Sequence, residues 1–210
     1  EVKKLLLVAK QNNESEEKIS ELKLKAQKAD EALRTQAELS KVKKNKGWDK
    51  IAGYDQEKTI LTDEFINNIV LEKGGNKDVT FPNGISFFGP TGNGKTTFAK
   101  AFAEQVQCPL IEIEPLNDLK EELRKALNSS KENFEKTGTR SIILMDEFDN
   151  FGSKKPENQQ TVAMLKAIMT SCSDKYNATM FLTTNNPQDI DSILLADSRC
   201  PIRGYLDPPN

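Results

Sequence analysis

Histidine is absent from the 210-residue chain. Its absence removes imidazole acid–base chemistry and the commonest protein ligand of transition metals. The three cysteines, Cys108, Cys172 and Cys200, are widely spaced and form no C-x-x-C pair. This pattern argues against a disulfide framework and against a zinc site, and it suits a reducing compartment.

Long apolar runs are also absent, since none approaches the ~20 residues that a helix needs to cross a bilayer. We therefore expect no membrane segment in this chain, and we expect the protein to be cytoplasmic. The sequence begins at Glu1 rather than at methionine. This start predicts that the chain is a fragment, and it leaves an upstream membrane tether open.

Glycine and proline are absent from residues 1–46, a segment rich in the strong helix formers Glu, Lys, Ala, Leu and Gln. Apolar residues recur there at three- and four-residue spacing, at Ile19, Leu22, Ala26, Ala29 and Leu33. We predict a helical arm over residues 1–46, and a coiled coil, a single solvated helix and a partly disordered tail stay open. The arm has 12 Lys/Arg against 8 Asp/Glu, an excess that a solvated helix surface explains better than a nucleic-acid-binding arm.

The remaining residues, 47–210, alternate between strand and helix patterns and are predicted to form one domain. Buried strands are predicted at 85–88, 110–113, 141–145, 178–183 and 202–206. Helices are predicted at 65–71, 97–104, 117–136, 159–173 and 190–196. Interleaved elements of this kind imply right-handed crossovers, so we predict an α/β fold with a parallel five-stranded sheet and helices on both faces. Ligands of such sheets bind beyond the carboxyl ends of the strands.

One such strand end carries the run Gly89-Pro90-Thr91-Gly92-Asn93-Gly94-Lys95-Thr96, which matches the phosphate-loop pattern G-x-x-x-x-G-K-[ST]. A strand, a glycine-rich turn and a helix start form an anion site, because the helix directs its N–H groups and positive dipole end at phosphate. Lys95 is predicted to reach the β/γ-phosphates, and Thr96 to bind Mg²⁺. The alternative is a turn that binds nothing. The predicted nucleotide contacts in this segment are Pro90, Thr91, Gly92, Asn93, Gly94, Lys95, Thr96 and Thr97.

Polar side chains follow two other predicted strands. Asp146 and Glu147 come after the apolar segment 142–145, where Asp146 would hold Mg²⁺ through water and Glu147 would polarise the attacking water. Strand alternation is expected to direct these two side chains apart. Asn185 follows the fourth strand, and its amide can both donate and accept at a γ-phosphate or a water. The alternatives are acidic residues in a polar loop and a simple turn segment.

The order of these elements resembles the AAA+ ATPase module, a phosphate-loop nucleoside triphosphatase, over about residues 48–208. By this resemblance, Gly89–Thr96 is similar to Walker A, and Ile142–Glu147 is similar to Walker B with Glu147 as its catalytic residue. Asn185 resembles the sensor-1 residue. The remaining two similarities are an adenine-packing entry loop around Ile51 and Gly53, and an arginine finger at Arg199.

The resemblance implies an ATPase that uses ATP and Mg²⁺ and assembles into a ring, usually a homo-hexamer, because the family's arginine finger acts on the neighbouring subunit's nucleotide. The client it implies is a protein that the ring remodels. Three departures from the family pattern stand out. The stretch Pro115–Lys120 lacks the aromatic residue of a pore loop, Ile202 stands where one branch has a second arginine, and the chain stops at Asn210 without the helical lid.

Two alternative functions remain open. The run Ser198-Arg199-Cys200 is similar to that of clamp loaders, which favours a nucleic-acid-associated ATPase of the clamp-loader or initiator kind. The acidic body, with 18 Lys/Arg against 24 Asp/Glu beyond residue 46, makes nucleic acid the less favoured partner. The other alternative is a nucleotide-switched scaffold with little hydrolysis, against which Glu147 argues.

Overall fold

A computed structural model describes residues 16–44, 46–76, 78–114 and 118–207. These residues form two compact units, one made of residues 16–44 and 67–79 and the other of residues 46–66 and 80–207. Part of the predicted arm, residues 1–15, and the first half of the stretch that lacks a pore-loop aromatic, residues 115–117, lie outside the described residues. The predicted domain division at residue 46 stays a prediction.

The larger unit is built on a parallel sheet of five strands in the order β2-β3-β4-β1-β5. The strands are β1 (Gly84–Phe88), β2 (Leu110–Glu112), β3 (Ser141–Met145), β4 (Ala178–Thr184) and β5 (Ile202–Tyr205). β3 and β4 are buried along their whole length, as near-continuous apolar runs in a parallel sheet require. The register pairs Met145 with Leu182 and Phe88 with Thr184, so three strands end close together.

Helices precede and connect these strands. They are α1 (Glu16–Lys44), α2 (Asp55–Leu61), α3 (Asn67–Gly74), α4 (Lys95–Val106), α5 (Leu119–Thr137), α6 (Asp149–Gly152), α7 (Gln159–Met169) and α8 (Cys172–Tyr176). A π-helical turn, Thr62–Ile66, joins α2 to α3, and 3₁₀ turns lie at Trp48–Lys50, Pro156–Asn158 and Pro187–Asp189. None of the helices in the described part of the chain has both the length and the apolar character that crossing a bilayer requires.

The sheet buries side chains on both of its faces. On one face, Ile143, Met180 and Leu182 join a cluster with residues of α5 and α7, including Leu123 and Leu165. The opposite face carries six buried phenylalanines, Phe65, Phe81, Phe87, Phe98, Phe102 and Phe181. Phe87 and Phe181 stack there with ring centroids 5.5 Å apart. The prediction of a parallel five-stranded sheet with helices on both faces, preceded by a long helix, is therefore confirmed.

The predicted helix at residues 190–196 is wrong. Ile190 instead forms an antiparallel bridge with Ser153, and the backbone N–H of Asp191 donates to the carbonyl of Gly152 at 2.8 Å. These contacts hold the start of the segment extended. The Asp191 side chain then accepts the N–H of Ile193 at 3.0 Å, a local hydrogen bond that favours a turn over a helix.

The smaller unit pairs α1 with α3. Within the apolar stripe predicted along α1, Ala26 is buried, whereas Leu33 is 65% exposed. The two helices approach closely at Gly74, where an added Cβ would lie 2.2 Å from Oγ1 of Thr35. A coiled coil built on α1 stays a prediction.

Candidate nucleotide-binding site

The loop between β1 and α4 is shaped by its glycines. Gly92 and Gly94 have φ values of 87° and 73°, in the left-handed region that side chains disfavour. Gly89 has φ 154° and lies so close to β5 that an added Cβ would be 2.4 Å from the carbonyl oxygen of Leu206. The loop thus leads directly into the first turn of α4 at Lys95, whose N–H groups have no partner within the helix.

Lys95 is the buried cation of this loop, with 7% of its surface exposed. Its Nζ donates to the carbonyl oxygens of Gly89 and Pro90, both at 2.8 Å, and to Oδ1 of Asn185 at 2.6 Å. Burial lowers the pKa of the Lys95 ammonium, although three neighbouring carboxylates oppose this shift. The side chain therefore links the loop to the end of β4 and supplies a positive charge with little water around it.

Asp146 follows the last residue of β3 and accepts hydroxyl protons on both carboxylate oxygens. Oγ1 of Thr96, in the first turn of α4, donates to Oδ2 at 2.6 Å. Oγ1 of Thr183, in β4, donates to Oδ1. The hydroxyl of Thr96 and the carboxylate of Asp146 therefore form a pair of oxygen ligands beside the loop, which is the ligand type that Mg²⁺ prefers.

Glu147 lies in the turn after β3 with φ 49°, a left-handed conformation that is uncommon for a residue with a side chain. Since β3 ends at Met145, this turn separates the two carboxylates, rather than the strand alternation expected from the sequence. The backbone N–H of Glu147 donates to Oδ1 of Asp146 at 3.2 Å, and its Oε2 accepts from Nδ2 of Asn150 at 3.2 Å. The exposed carboxylate lines the same cavity as Lys95.

The end of β4 carries a hydrogen-bond network that the sequence reasoning missed. Oγ1 of Thr184 donates to Oδ1 of Asp149 at 2.6 Å, and Nδ2 of Asn186 is 3.4 Å from Oδ2 of the same carboxylate. Asn185 lies between these two residues. The only sequence signal for this network was the pair of threonines at the strand end. Which carboxylates their hydroxyls contact depends on the register of β3 against β4.

These elements enclose a cavity of about 270 Å³. The residues that line it are Thr91, Gly92, Gly94, Lys95, Thr96, Thr97, Asp146, Glu147, Thr184 and Asn185. All but Thr184 belong to the set predicted from the sequence. Four predicted nucleotide contacts, Ile51, Gly53, Pro90 and Asn93, are not part of this lining, and neither is Arg199.

The entry segment is tied to the phosphate loop from outside the cavity. Trp48 packs on Phe98 of α4 with ring centroids 5.3 Å apart. The hydroxyl of Tyr54 lies 3.1 Å from the carbonyl oxygen of Asn93 and 2.9 Å from that of Asp207. Nζ of Lys58 donates to the carbonyl of Ile51 at 2.7 Å. This places Ile51 and Gly53 on a segment anchored beside the loop.

Arg199 lies after the turn that replaces the predicted helix. Its guanidinium donates to the carbonyl of Ile193 at 2.9 Å and more weakly to that of Lys166 at 3.4 Å. The neighbouring Arg203 pairs instead with Asp197. The structure thus brings together Lys95, Thr96 and the strand-end residues, but it does not bring Arg199 to the same cavity.

Comparison with known proteins gives a family match. The model of the ATPase family associated with various cellular activities (AAA) matches residues 85–208, more than half of the chain. The "Outer mitochondrial transmembrane helix translocase" of Danio rerio is 32% identical over 180 residues, covering 78% of this chain and 48% of the relative. The "Mitochondrial sorting homolog" of Caenorhabditis elegans is 28% identical over 176 residues, covering 78% and 50%.

A third relative is the "Proteasome-activating nucleotidase" of Methanocella arvoryzae, 30% identical over 128 residues, which covers 56% of this chain and 31% of the relative. The chain spans about half the length of the first two relatives it matches. The predicted cytoplasmic localisation is wrong, because these comparisons match the chain to translocases whose name places them at the outer mitochondrial membrane.

Proposed function

Because the chain belongs to the AAA family of ATPases, we propose that it binds ATP with Mg²⁺ in the cavity at the strand ends and hydrolyses it. One observation carries this proposal: a buried lysine, two carboxylates and a side-chain amide line the same cavity at a helix start. Each group has a task in phosphoryl transfer to water, for which the protein supplies positioning and charge.

Nucleotide binding is assigned to the loop and to Lys95. The phosphates would lie against the N–H groups of residues 90–97 and accept hydrogen bonds from the Lys95 ammonium. Mg²⁺, held by Thr96 and Asp146, would neutralise phosphate charge when bound. The adenine would pack near Ile51 and Gly53, since the segment that carries them is anchored to the loop through Tyr54.

Hydrolysis is assigned to Glu147 and Asn185. The exposed carboxylate of Glu147 would accept a proton from the attacking water. It lines the cavity, and the backbone of Glu147 is itself left-handed. The amide of Asn185 lines the cavity, and its Nδ2 can donate a hydrogen bond to an oxygen bound there. Asn185 would thus orient the water or the γ-phosphate.

Arg199 would complete the site from a neighbouring copy of the chain. It is outside the lining of the cavity and is held by the carbonyl of Ile193, a position consistent with action on another subunit's nucleotide. An arginine supplied in this way can raise the rate of hydrolysis about 10³–10⁵-fold. We propose that the chain works in a ring, of which a homo-hexamer is the form the family resemblance favours.

A protein client is the substrate we propose for this ring. Two relatives of this chain are named for translocating transmembrane helices and for mitochondrial sorting. We therefore propose that the ring acts on proteins that contain a membrane helix. Comparing ATP turnover in the presence of such a protein and of its soluble domain alone would test this assignment, and equal turnover would contradict it.

Mixing of variants tests the site and the ring together. Glu147→Gln should bind ATP without hydrolysing it, and Arg199→Ala should also bind ATP while turnover falls about 10³-fold or more. Each variant keeps the group that the other lacks, so mixed rings should recover part of the activity. Arg124→Ala, which removes an exposed arginine of α5, is the matched control and should hydrolyse normally. If the assembled wild-type protein hydrolyses ATP no faster than Glu147→Gln, the proposed hydrolysis is contradicted.

A further inference from the structure

Asp149 is an acidic residue near the cavity to which no task has been assigned. It lies in the first turn of the short helix α6, three residues after Asp146. Its carboxylate oxygens accept hydrogen bonds across the strand ends, from Oγ1 of Thr184 at 2.6 Å and from Nδ2 of Asn186 at 3.4 Å. A carboxylate that only capped its own helix would accept from N–H groups of that helix instead.

The two partners of Asp149 flank Asn185 in the sequence. The hydroxyl of Thr184 also accepts the backbone N–H of Asn186 at 3.0 Å, so Asp149, Thr184 and Asn186 form a closed set of hydrogen bonds around the residue between them. Thr184 is 2% exposed, which shields its hydrogen bond to Asp149 from water. This set determines where the backbone of Asn185 leaves the sheet.

The adjacent threonine has a parallel arrangement. The hydroxyl of Thr183 donates to Asp146, and the backbone N–H of Phe148 donates to the carbonyl of Thr183 at 2.8 Å. Successive residues of a strand point to opposite faces, so Asp146 and Asp149 hold the end of β4 from its two sides. Together they fix the separation between Glu147 and Asn185.

From this geometry we propose that Asp149 is a positioning residue for ATP hydrolysis, which acts through Thr184 and Asn186 to hold Asn185 in place. The inference rests on the proposed function, since it assigns Asn185 to the hydrolytic step. Asp149 makes no contact with nucleotide in this assignment. Its loss should therefore lower kcat while nucleotide affinity stays near that of wild type.

The first test compares Asp149→Ala with Asp174→Ala. Asp174 is an exposed residue that also lies in the first turn of a short helix, α8, so it is the matched control and should keep wild-type turnover. Asp149→Ala should lower kcat about 10- to 100-fold, because small misplacements of a catalytic group cost about this much. Thr184→Val should lose turnover in the same way, and Thr184→Ser, which retains the hydroxyl, should recover it.

A double-mutant cycle separates positioning from a general loss of structure. If Asp149 acts through Asn185, then Asp149→Ala should change kcat by less than about twofold in an Asn185→Ala background. Multiplicative effects on kcat, or a parallel loss of ATP-analogue affinity and thermal stability, would overturn the proposal. The wild-type protein must first hydrolyse ATP faster than Glu147→Gln in the same assay. If it does not, the result counts against the proposed hydrolysis rather than against the role of Asp149.

A readout that needs no activity keeps the inference testable in that case. With an ATP analogue bound, the side-chain amide resonances of Asn185, assigned by their loss in Asn185→Ala, should lie away from the positions of solvent-exposed asparagine amides in wild type and in Asp174→Ala. They should move towards those positions in Asp149→Ala. An unchanged pair of resonances in Asp149→Ala would show that Asp149 does not hold Asn185.

Discussion

The backbone of Glu147 gives a prediction about stability as well as activity. Its φ of 49° is left-handed, and glycine adopts this conformation without the steric cost that a Cβ brings. Replacement by glycine and replacement by glutamine both remove the carboxylate, but only glycine relieves the strain. We expect Glu147→Gly to be more stable than Glu147→Gln, although neither variant hydrolyses ATP.

The size of the difference follows from two opposing terms. A left-handed residue with a side chain costs about 1–2 kcal/mol, which glycine recovers. Glycine also increases the entropy of the unfolded chain, which lowers stability by about 0.4–1 kcal/mol. The hydrogen bond from Asn150 to Oε2 of Glu147 can be kept by the glutamine oxygen and is lost with glycine, but at this exposed site it adds little. The net gain of about 0.5–1 kcal/mol corresponds to a melting temperature higher by about 1–4 °C in a protein of this size.

Thermal unfolding followed by circular dichroism measures this difference directly. Gln107, which ends α4 with φ 55°, supplies the control: Gln107→Gly should gain stability to a similar degree without loss of ATP turnover. Equal melting temperatures for Glu147→Gly and Glu147→Gln would refute the reasoning, since they would mean that the left-handed strain at Glu147 does not exceed the entropy cost of glycine.

Three further predictions concern the loop and the strand ends. Lys95→Met should weaken ATP-analogue binding at least about 100-fold, because two charge-assisted hydrogen bonds of about 1.5–3 kcal/mol are lost; calorimetry that finds wild-type affinity in the folded variant would contradict this. Burial lowers the pKa of Lys95 and bound phosphate would raise it, so ATP binding should take up protons at alkaline pH between the two pKa values, and its affinity should fall as pH rises through that range. Calorimetry in buffers of different ionisation enthalpy detects the uptake, which Lys95→Met should abolish. Thr183→Val removes a hydrogen bond to the Asp146 carboxylate and should lower the free energy of unfolding, measured in urea, by about 1.5–3 kcal/mol. Thr179→Val, the control, removes a hydrogen bond to a neutral carbonyl and should lower it by about 1 kcal/mol. Equal losses for the two variants would argue against a charged acceptor at Thr183.

The parts of the site that sequence predicts well are those within one short segment. The phosphate-loop pattern of Gly89, Gly94 and Lys95 predicts a strand, a turn and a helix start in one segment. The geometry of this segment can therefore be predicted without knowledge of the rest of the fold. The apolar run before Asp146 likewise identifies a buried strand and its polar end. Both features come from local chemistry, which a linear pattern preserves.

Contacts between segments could not be read in this way. The hydroxyls of Thr183 and Thr184 meet two different carboxylates because β3 and β4 pair with Met145 opposite Leu182, and a one-residue slip would send each hydroxyl to the other face. The helix expected at residues 190–196 failed for a related reason. Its apolar spacing suits a helix, but the bridge from Ile190 to Ser153 is a long-range contact that overrides local preference.

The strand order explains why one strand end can serve the whole site. β4 lies between β3 and β1, so the residues that follow it adjoin the carboxylates on one side and the phosphate loop on the other. Asn185 contacts Lys95 at 2.6 Å, while the two residues before it, Thr183 and Thr184, are held by Asp146 and Asp149. A nucleotide that drew Lys95 towards its phosphates would therefore remove the hydrogen-bond donor to Asn185 and leave the network of Asp149 to hold it in place. For this reason Asp149→Ala should lower the rate of ATP turnover, while it should change the structure of the nucleotide-free protein little.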